Sequence, residues 1–229
     1  WFYDDNAKTV LLRRFDEKIV TLKDLFWGKY DHDSRLITGK IKNEQYIVPI
    51  GNIEFVEKYL GKHIKPINIP DCLTDEYFTK RFCKRMDYKE LQKALLSSSY
   101  FVKSDETLKD FSDIYKEIGY IKKIDKYFVS EPVLFTDEWR AFIYKNKILD
   151  VRKYLGDWDK PDFDIQWLKN AVSKYSKSES CPKAYTLDFG YFDGKIAIIE
   201  CHRDISIGLY GFEDYKKIPN MFYSSYMEE

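Results

Sequence analysis

Asp188 and Glu200 are acidic residues embedded in two apolar stretches, Tyr185-Thr186-Leu187-Asp188-Phe189 and Ile196-Ala197-Ile198-Ile199-Glu200. Strands of that composition are buried, and a buried carboxylate needs a partner, for which a cation is well suited. Asp193-Gly194 between the stretches marks a hairpin turn. Two registers are open. A two-residue loop pairs Asp188 with Ile199 and turns Glu200 to the opposite face. A three-residue loop, Phe192-Asp193-Gly194 with Gly194 left-handed, pairs Asp188 with Ile198 instead. Asp188, Glu200 and His202 then share one face, with the carboxylates diagonal neighbours about 7 Å apart. The second register is expected, because it alone makes a shared Mg²⁺ site. A lone histidine is commonly structural, but the period-2 spacing of His202 from Glu200 makes it a candidate third ligand.

The second set of residues is basic. Within Glu138-Trp139-Arg140-Ala141-Phe142, strand alternation gives Glu138 and Arg140 one face, and on the return strand Asp150 and Arg152 share another. Such pairs are either cross-strand ion pairs, worth up to about 1 kcal/mol, or a guanidinium clamp for polyphosphate. Lys103 closes the apolar strand Tyr100-Phe101-Val102, and Lys109 follows it. Two lysines are ordinarily solvated surface. Taken with the acids, the residues alone read as a Mg–polyphosphate cleft.

These side chains must be held by strands and helices of both kinds. Val10-Leu11-Leu12 and Ile19 to Leu22 are strand-like, and Asn52 can cap a helix from Ile53 to Leu60 that Gly61 ends. Lys65-Pro66-Ile67-Asn68-Ile69-Pro70 reads as an extended connector at a domain or subdomain boundary. Asp87 and Glu90 form a capping box for a helix carrying Leu91, Ala94 and Leu95. Tyr127 to Val129, Val133 to Tyr144 and Ile148 to Tyr154 read as strands, with a turn at Lys145-Asn146-Lys147. Ile165, Leu168, Val172 and Tyr175 recur at helical spacing. Mixed elements followed by antiparallel hairpins give an α+β class.

Composition narrows the function. Lys plus Arg is 38 and Asp plus Glu is 38, so the formal net charge is zero, which argues against general nucleic-acid binding. The expected partner is a small charged substrate in a local cleft. Ten glycines among 229 residues, without G-x-G-x-x-G or G-x-x-x-x-G-K-[ST], exclude the two glycine-loop nucleotide folds. Cys72, Cys83, Cys181 and Cys201 lack the spacing of a zinc site and read as free thiols. The longest stretch without Asp, Glu, Lys or Arg, Ile218 to Met227, is too short to cross a bilayer. Together these predict a cytoplasmic protein.

An ordered run of short motifs resembles an ATP-grasp protein. It comprises Phe101-Val102-Lys103, Ser130-Glu131-Pro132-Val133, Glu138-Trp139-Arg140-Ala141-Phe142 and Val151-Arg152, then Tyr185-Thr186-Leu187-Asp188-Phe189-Gly190, Ile199-Glu200-Cys201-His202 and Gly208-Leu209-Tyr210-Gly211. More narrowly it is similar to the ATP-grasp clade named for an arginine and two lysines, as is Ile47 to Val56. The resemblance implies a small α/β N-terminal domain over residues 1–72, then two α+β subdomains, 73–130 and 131–229, gripping ATP. Carried over by position, Lys103 contacts the phosphates, Lys109 is the second lysine and Arg81 the clade's arginine. Glu131 and Val133 fall at the hinge that reads adenine and ribose, and Arg140 and Arg152 approach phosphates. Asp188 and Glu200 match the Mg²⁺ ligands. Superfamily members commonly end this motif as E-x-N; here His202 stands third, and imidazole is a poorer Mg²⁺ ligand than oxygen.

The implied activity is an ATP- and Mg²⁺-dependent carboxylate–amine (or –thiol) ligase working through an acylphosphate, with small-molecule or peptide substrates. Ile205 to Gly211 is expected near the acyl acceptor. The alternatives are a nucleotide-binding or regulatory protein that kept the fold and lost turnover, and an interaction module using exposed aromatics.

Overall fold

In the computed structural model the residues described are 19–21, 35–41, 44–50, 53–159, 163–214 and 217–228. The strand expected at Val10-Leu11-Leu12 and the Asn52 cap lie outside them. Three antiparallel sheets follow one another along the chain. The first orders β1 (Ile19–Thr21), β2 (Arg35–Ile41) and β3 (Glu44–Ile50) in sequence. Helix α1 (Ile53–Leu60) follows and ends at Gly61, whose φ of +67° is the left-handed stop expected of it.

The second sheet holds β4 (Cys83–Met86), β5 (Tyr100–Ser104), β6 (Ser112–Tyr115) and β7 (Tyr127–Ser130) in the order β4-β7-β5-β6. Ahead of it lies the one-turn helix α2 (Glu76–Thr79). Helix α3 (Tyr88–Leu95) covers one face. Its capping box forms as expected: Glu90 N donates to Asp87 Oδ1 at 2.8 Å, and Asp87 N to Glu90 Oε2 at 3.1 Å. Leu91 and Leu95 bury against Val102, Tyr127 and Val129. The opposite face therefore carries Phe101, Lys103 and Phe128.

The third sheet orders β8 (Asp137–Tyr144), β9 (Lys147–Leu155), β10 (Ala184–Phe192) and β11 (Lys195–Arg203) as β11-β10-β8-β9. β8 starts later than the expected Val133, since residues 131–136 cross from sheet to sheet and Pro132 has no N–H for a ladder. The β8–β9 hairpin turns on Lys145 and Asn146, both left-handed at +49° and +62°. Helix α4 (Ile165–Tyr175) lays Trp167, Leu168, Ala171, Val172 and Tyr175 on one face of this sheet, while Ile165 stays outside at 45% exposure. Aromatic rings pack there: Trp139 stacks on Phe189 at 5.8 Å, Phe163 meets the same ring edge-on and Trp167 lies tilted against it. Ile69, Leu73, Phe78 and Phe128 join this core. On the other face, α5 (Ile218–Met227) and the segment before it bury Phe142, Ala184 and Phe212. Among the described residues no helix is long and apolar enough to cross a membrane.

Candidate active site

The last hairpin settles the register in a way the turn alone does not reveal. Its loop is the two-residue one, Asp193-Gly194, with φ of +47° and +70° and Phe192 paired with Lys195. That corrects the expected three-residue loop. Yet Asp188 pairs with Glu200, because the ladder steps from Phe189–Ile198 to Asp188–Glu200 and leaves Ile199 as an extra residue. This β-bulge does what the longer loop was expected to do. Ile196 and Ile198 before it, and Cys201 beyond it, pack in one core, so Glu200 and His202 emerge on the opposite face. The carboxylates are direct neighbours across the ladder rather than diagonal ones.

On that face Asp188, Glu200 and His202 can each offer a ligand atom, all within 4.8 Å of one another. Each acid already has a cation. Arg140 on β8 faces Asp188 and donates from Nε and Nη2 to its two oxygens at 2.8 and 2.6 Å. Lys103 on β5 reaches across from the second sheet to Glu200 Oε2 at 2.7 Å, and His202 Nε2 lies 2.6 Å from Oε1. Burial pushes the Glu200 carboxyl up, but His202 and Lys103 outweigh it and hold the group well below its ordinary value. Burial likewise opposes charge on Arg140, and Asp188 more than compensates. The donor set fits a two-carboxylate Mg²⁺ site, since that ion is commonly held by one or two carboxylates, with substrate phosphates and water completing the shell.

Two tyrosines complete the Arg140 environment. Tyr154 and Tyr210 stack on each other at 4.8 Å, with the guanidinium 5.8 and 5.0 Å from their rings. Tyr154 Oη also lies 3.4 Å from Asp188 Oδ2, and burial followed by the charge of Asp188 raises its pKa. Arg140 Nη1 donates to the Gly208 carbonyl at 3.2 Å, so one arginine ties the sheet to the segment that follows the metal motif.

A cavity of about 530 Å³ opens beside these groups. Its walls are the connector at Ile64–Asn68, β5 and the loop after it through Lys109, and residues from His202 to Tyr210. Lys65, Lys103, Lys109, Arg140 and Arg203 line it, and Glu200 is the one carboxylate among the described lining residues. A chain of zero net charge has thus concentrated positive charge in one cleft, which favours a polyanion. Ser206, Ile207, Gly208 and Tyr210 form a wall of it.

Not every candidate lies there. Arg81 is buried beside the crossing between the sheets, donating from Nη1 to the carbonyls of Thr79 and Ile198 at 3.2 and 2.8 Å. Ile198 directly precedes the bulged residue, so Arg81 supports the distorted ladder. Glu131 is its neighbour: Glu131 N donates to the Phe82 carbonyl at 3.0 Å, and Phe82 N to Glu131 Oε2 at 2.9 Å. Val133 follows on the crossing segment. Arg152 pairs with Arg140 across the ladder but turns to Asp150 and Glu213, at 2.8 and 3.0 Å, as a surface ion-pair network. Sequence reasoning missed Tyr154, Asn68 and Arg85, and it named Tyr210 only as part of a motif, without its contact to Arg140. For Asn68 there was a signal, an asparagine bracketed by prolines, a residue type that tolerates left-handed backbone.

Comparison with known proteins identifies the family. A family model described as an ATP-grasp domain, family 2 of the clade named for an arginine and two lysines, matches residues 78–218, more than half of the chain. No curated protein sequence matches. Among solved structures, the chain is similar to the ATP-grasp ligase PsnB complexed with minimal precursor, at 12% identity over 76% of this chain and 67% of that one, with a TM-score of 0.46. It is also similar to the ADP complex of PurK, N5-carboxyaminoimidazole ribonucleotide synthetase, at 11% identity over 69% and 51% of the two chains, TM-score 0.47. A third is the ATP complex of D-alanine–D-alanine ligase from Bacillus anthracis, at 14% identity over 78% and 75%, TM-score 0.45. The chain spans about half the length of PurK and about two thirds of PsnB. With the family match running across its second and third antiparallel sheets, this chain belongs to the ATP-grasp fold, in family 2 of the arginine-and-two-lysines clade.

Proposed function

We propose that the protein is an ATP- and Mg²⁺-dependent ligase that joins a carboxylate to an amine (or thiol) through an acylphosphate. The observation that carries this reading is the Lys103–Glu200 contact, where the two sheets meet at a cation-lined cavity with the Asp188–Glu200 pair at its edge. Lys103 and Lys109 hold phosphate oxygens and Arg140 approaches the transferred group. Glu131 and Val133, at the crossing between the sheets, read adenine and ribose. Arg81 serves the site by holding its backbone in place, and Arg152 is tied to Asp150 and Glu213. Asp188 and Glu200 would hold Mg²⁺, with His202 beside them; when bound, the ion neutralises charge developing on the phosphates. In-line transfer needs positioning and charge neutralisation more than a protein nucleophile, and this side-chain set supplies both. The Ser206–Tyr210 wall excludes water from an intermediate that hydrolyses readily. The proposed division of the chain is 1–72, 73–130 and 131–229, the second and third sheets falling in the latter two units.

The test is nucleotide binding followed by turnover. ATP with Mg²⁺ at a hundred times its dissociation constant stabilises a protein by about 2.7 kcal/mol, readable as a thermal shift. No shift at millimolar ATP removes every nucleotide reading. ADP release that depends on an added carboxylate and amine identifies the ligase, and Glu200→Gln abolishes it. A second reading, a nucleotide binder without turnover, is favoured by His202 in the third ligand position and by the two acids being already paired to Lys103 and Arg140. ATP binding without substrate-dependent ADP release selects it.

A further inference from the structure

The Lys103–Glu200 contact joins two sheets, and a lysine on a flexible four-carbon stem does not by itself fix the distance between them. Asn68, in the connector between α1 and α2, touches the backbone on both sides. Its carbonyl accepts from Cys201 N at 2.7 Å, an isolated bridge to the residue between Glu200 and His202. Its carboxamide donates to the carbonyl of Ser104, next to Lys103, at 3.3 Å, and to Asp105 Oδ1 at 2.7 Å. Asn68 is 2% exposed and left-handed at φ +55°.

The strap is itself anchored. Arg85 on β4 donates to the carbonyls of Ile67 and Ile69, at 2.8 and 3.0 Å, on either side of Asn68. Its Nε bonds Asp105 Oδ2 at 2.9 Å, the other oxygen of the carboxylate that Asn68 uses. The residue type follows from these demands. Asparagine tolerates the left-handed backbone and brings two donors; aspartate would set an acceptor against Asp105 and the Ser104 carbonyl, and glycine would keep the backbone without the donors.

We propose that Asn68 is a positioning residue, which sets the spacing of Lys103 from the Glu200–His202 pair across the cleft and thereby the geometry of phosphoryl transfer. This rests on the ligase reading above. Asn68→Gly tests it, since it keeps the left-handed φ and the carbonyl that meets Cys201 while deleting the carboxamide. Hydrogen exchange on the nucleotide-free chain reads the strap independently of any activity. Exchange of the Cys201 amide is expected to speed up at least tenfold, with amides of α3 unchanged. In turnover, kcat is expected to fall about tenfold with KM for ATP within threefold. The exchanged pair Asn68→Asp with Asp105→Asn restores the hydrogen bond between positions 68 and 105 in reverse but not the one to Ser104, and is expected to recover part of both readouts. Unchanged exchange at Cys201 overturns the proposal. So does a loss of activity that merely tracks a fall in melting temperature, or one the exchanged pair fails to recover. If the wild-type chain turns nothing over, the ligase reading falls by itself. The Cys201 exchange rate then decides alone: at least tenfold faster exchange in Asn68→Gly is expected, and an unchanged rate overturns the role.

Discussion

Arg140 and Asp188 stand directly opposite each other on neighbouring strands, the guanidinium bidentate on the carboxylate, with 9% and 2% of their side chains exposed. The arginine side chain also spans from the sheet to Gly208 and Tyr210. Removing one partner of such a pair leaves a buried charge unmatched, which costs more than the pair itself contributes. Arg140→Met is therefore expected to lose about 3–5 kcal/mol in urea unfolding. Arg140→Met with Asp188→Leu is expected to recover most of that loss. Equal losses in the single and double variants would show that packing under Tyr154 and Tyr210, not charge, governs the site.

Asp137 offers a clean acid-limb signature. A hydrogen bond from Lys153, at 2.9 Å, outweighs burial and, with Thr136 and Asp157 N, lowers its pKa from 3.8 to about 2. A depressed carboxyl contributes stability above its unfolded pKa and loses it as pH falls toward the folded one. The stability difference between wild type and Asp137→Asn should thus be full above about pH 4. It should shrink between pH 4 and 2, followed by urea unfolding at each pH. A difference that stays constant across that window refutes the assignment.

Asp204 has the opposite sign. Both carboxylate oxygens are buried with no hydrogen-bond partner among the described residues, and burial raises the pKa well above 3.8 despite the opposing charge of Arg140. The folded state therefore holds a proton that the unfolded chain releases, and stability drops as pH rises from about 4 toward the folded value. Asp204→Asn should be more stable than wild type at pH 7, by about 1–3 kcal/mol, and equal to it near pH 3. Thermal unfolding at the two pH values decides it.

Gly190 faces the start of β8 at close quarters. A β-carbon there would come 2.4 Å from the Asp137 carbonyl and 2.9 Å from the Phe135 ring. Gly190→Ala is expected to cost about 1–3 kcal/mol through the backbone shift it forces. Denaturant unfolding with an unchanged slope but a lower midpoint would match this; an unchanged midpoint would not.

The parts of this fold that were legible in the sequence are those decided by neighbours in the chain. The Asp87–Glu90 capping box, the Gly61 stop and the Asp193-Gly194 turn each depend on a few consecutive residues. The register of β11 does not. Asp-Gly pointed to a two-residue loop, and the shared face of Asp188 and Glu200 pointed to a three-residue one. Both could hold only because a bulge intervened, supported by Arg81 from over a hundred residues away. The destinations of Arg81 and Arg152 escaped for the same reason: strand alternation assigns a face but not the carbonyl or carboxylate that a long side chain will find. The cleft was visible as residue types, whereas Asn68, marked only as an asparagine between two prolines, and Arg85 meet backbone groups that the sequence does not point to.

Ile199 also gives β11 a change of parity. Toward the tip, even-numbered positions such as 196 and 198 face the aromatic core; beyond the extra residue, the odd-numbered Cys201 takes that place. Were Ile199 paired as an ordinary strand residue instead, strict alternation would turn Glu200 and His202 inward and Cys201 outward. The ligand set of this protein thus depends on how its strand absorbs one extra residue as much as on the identity of the acids.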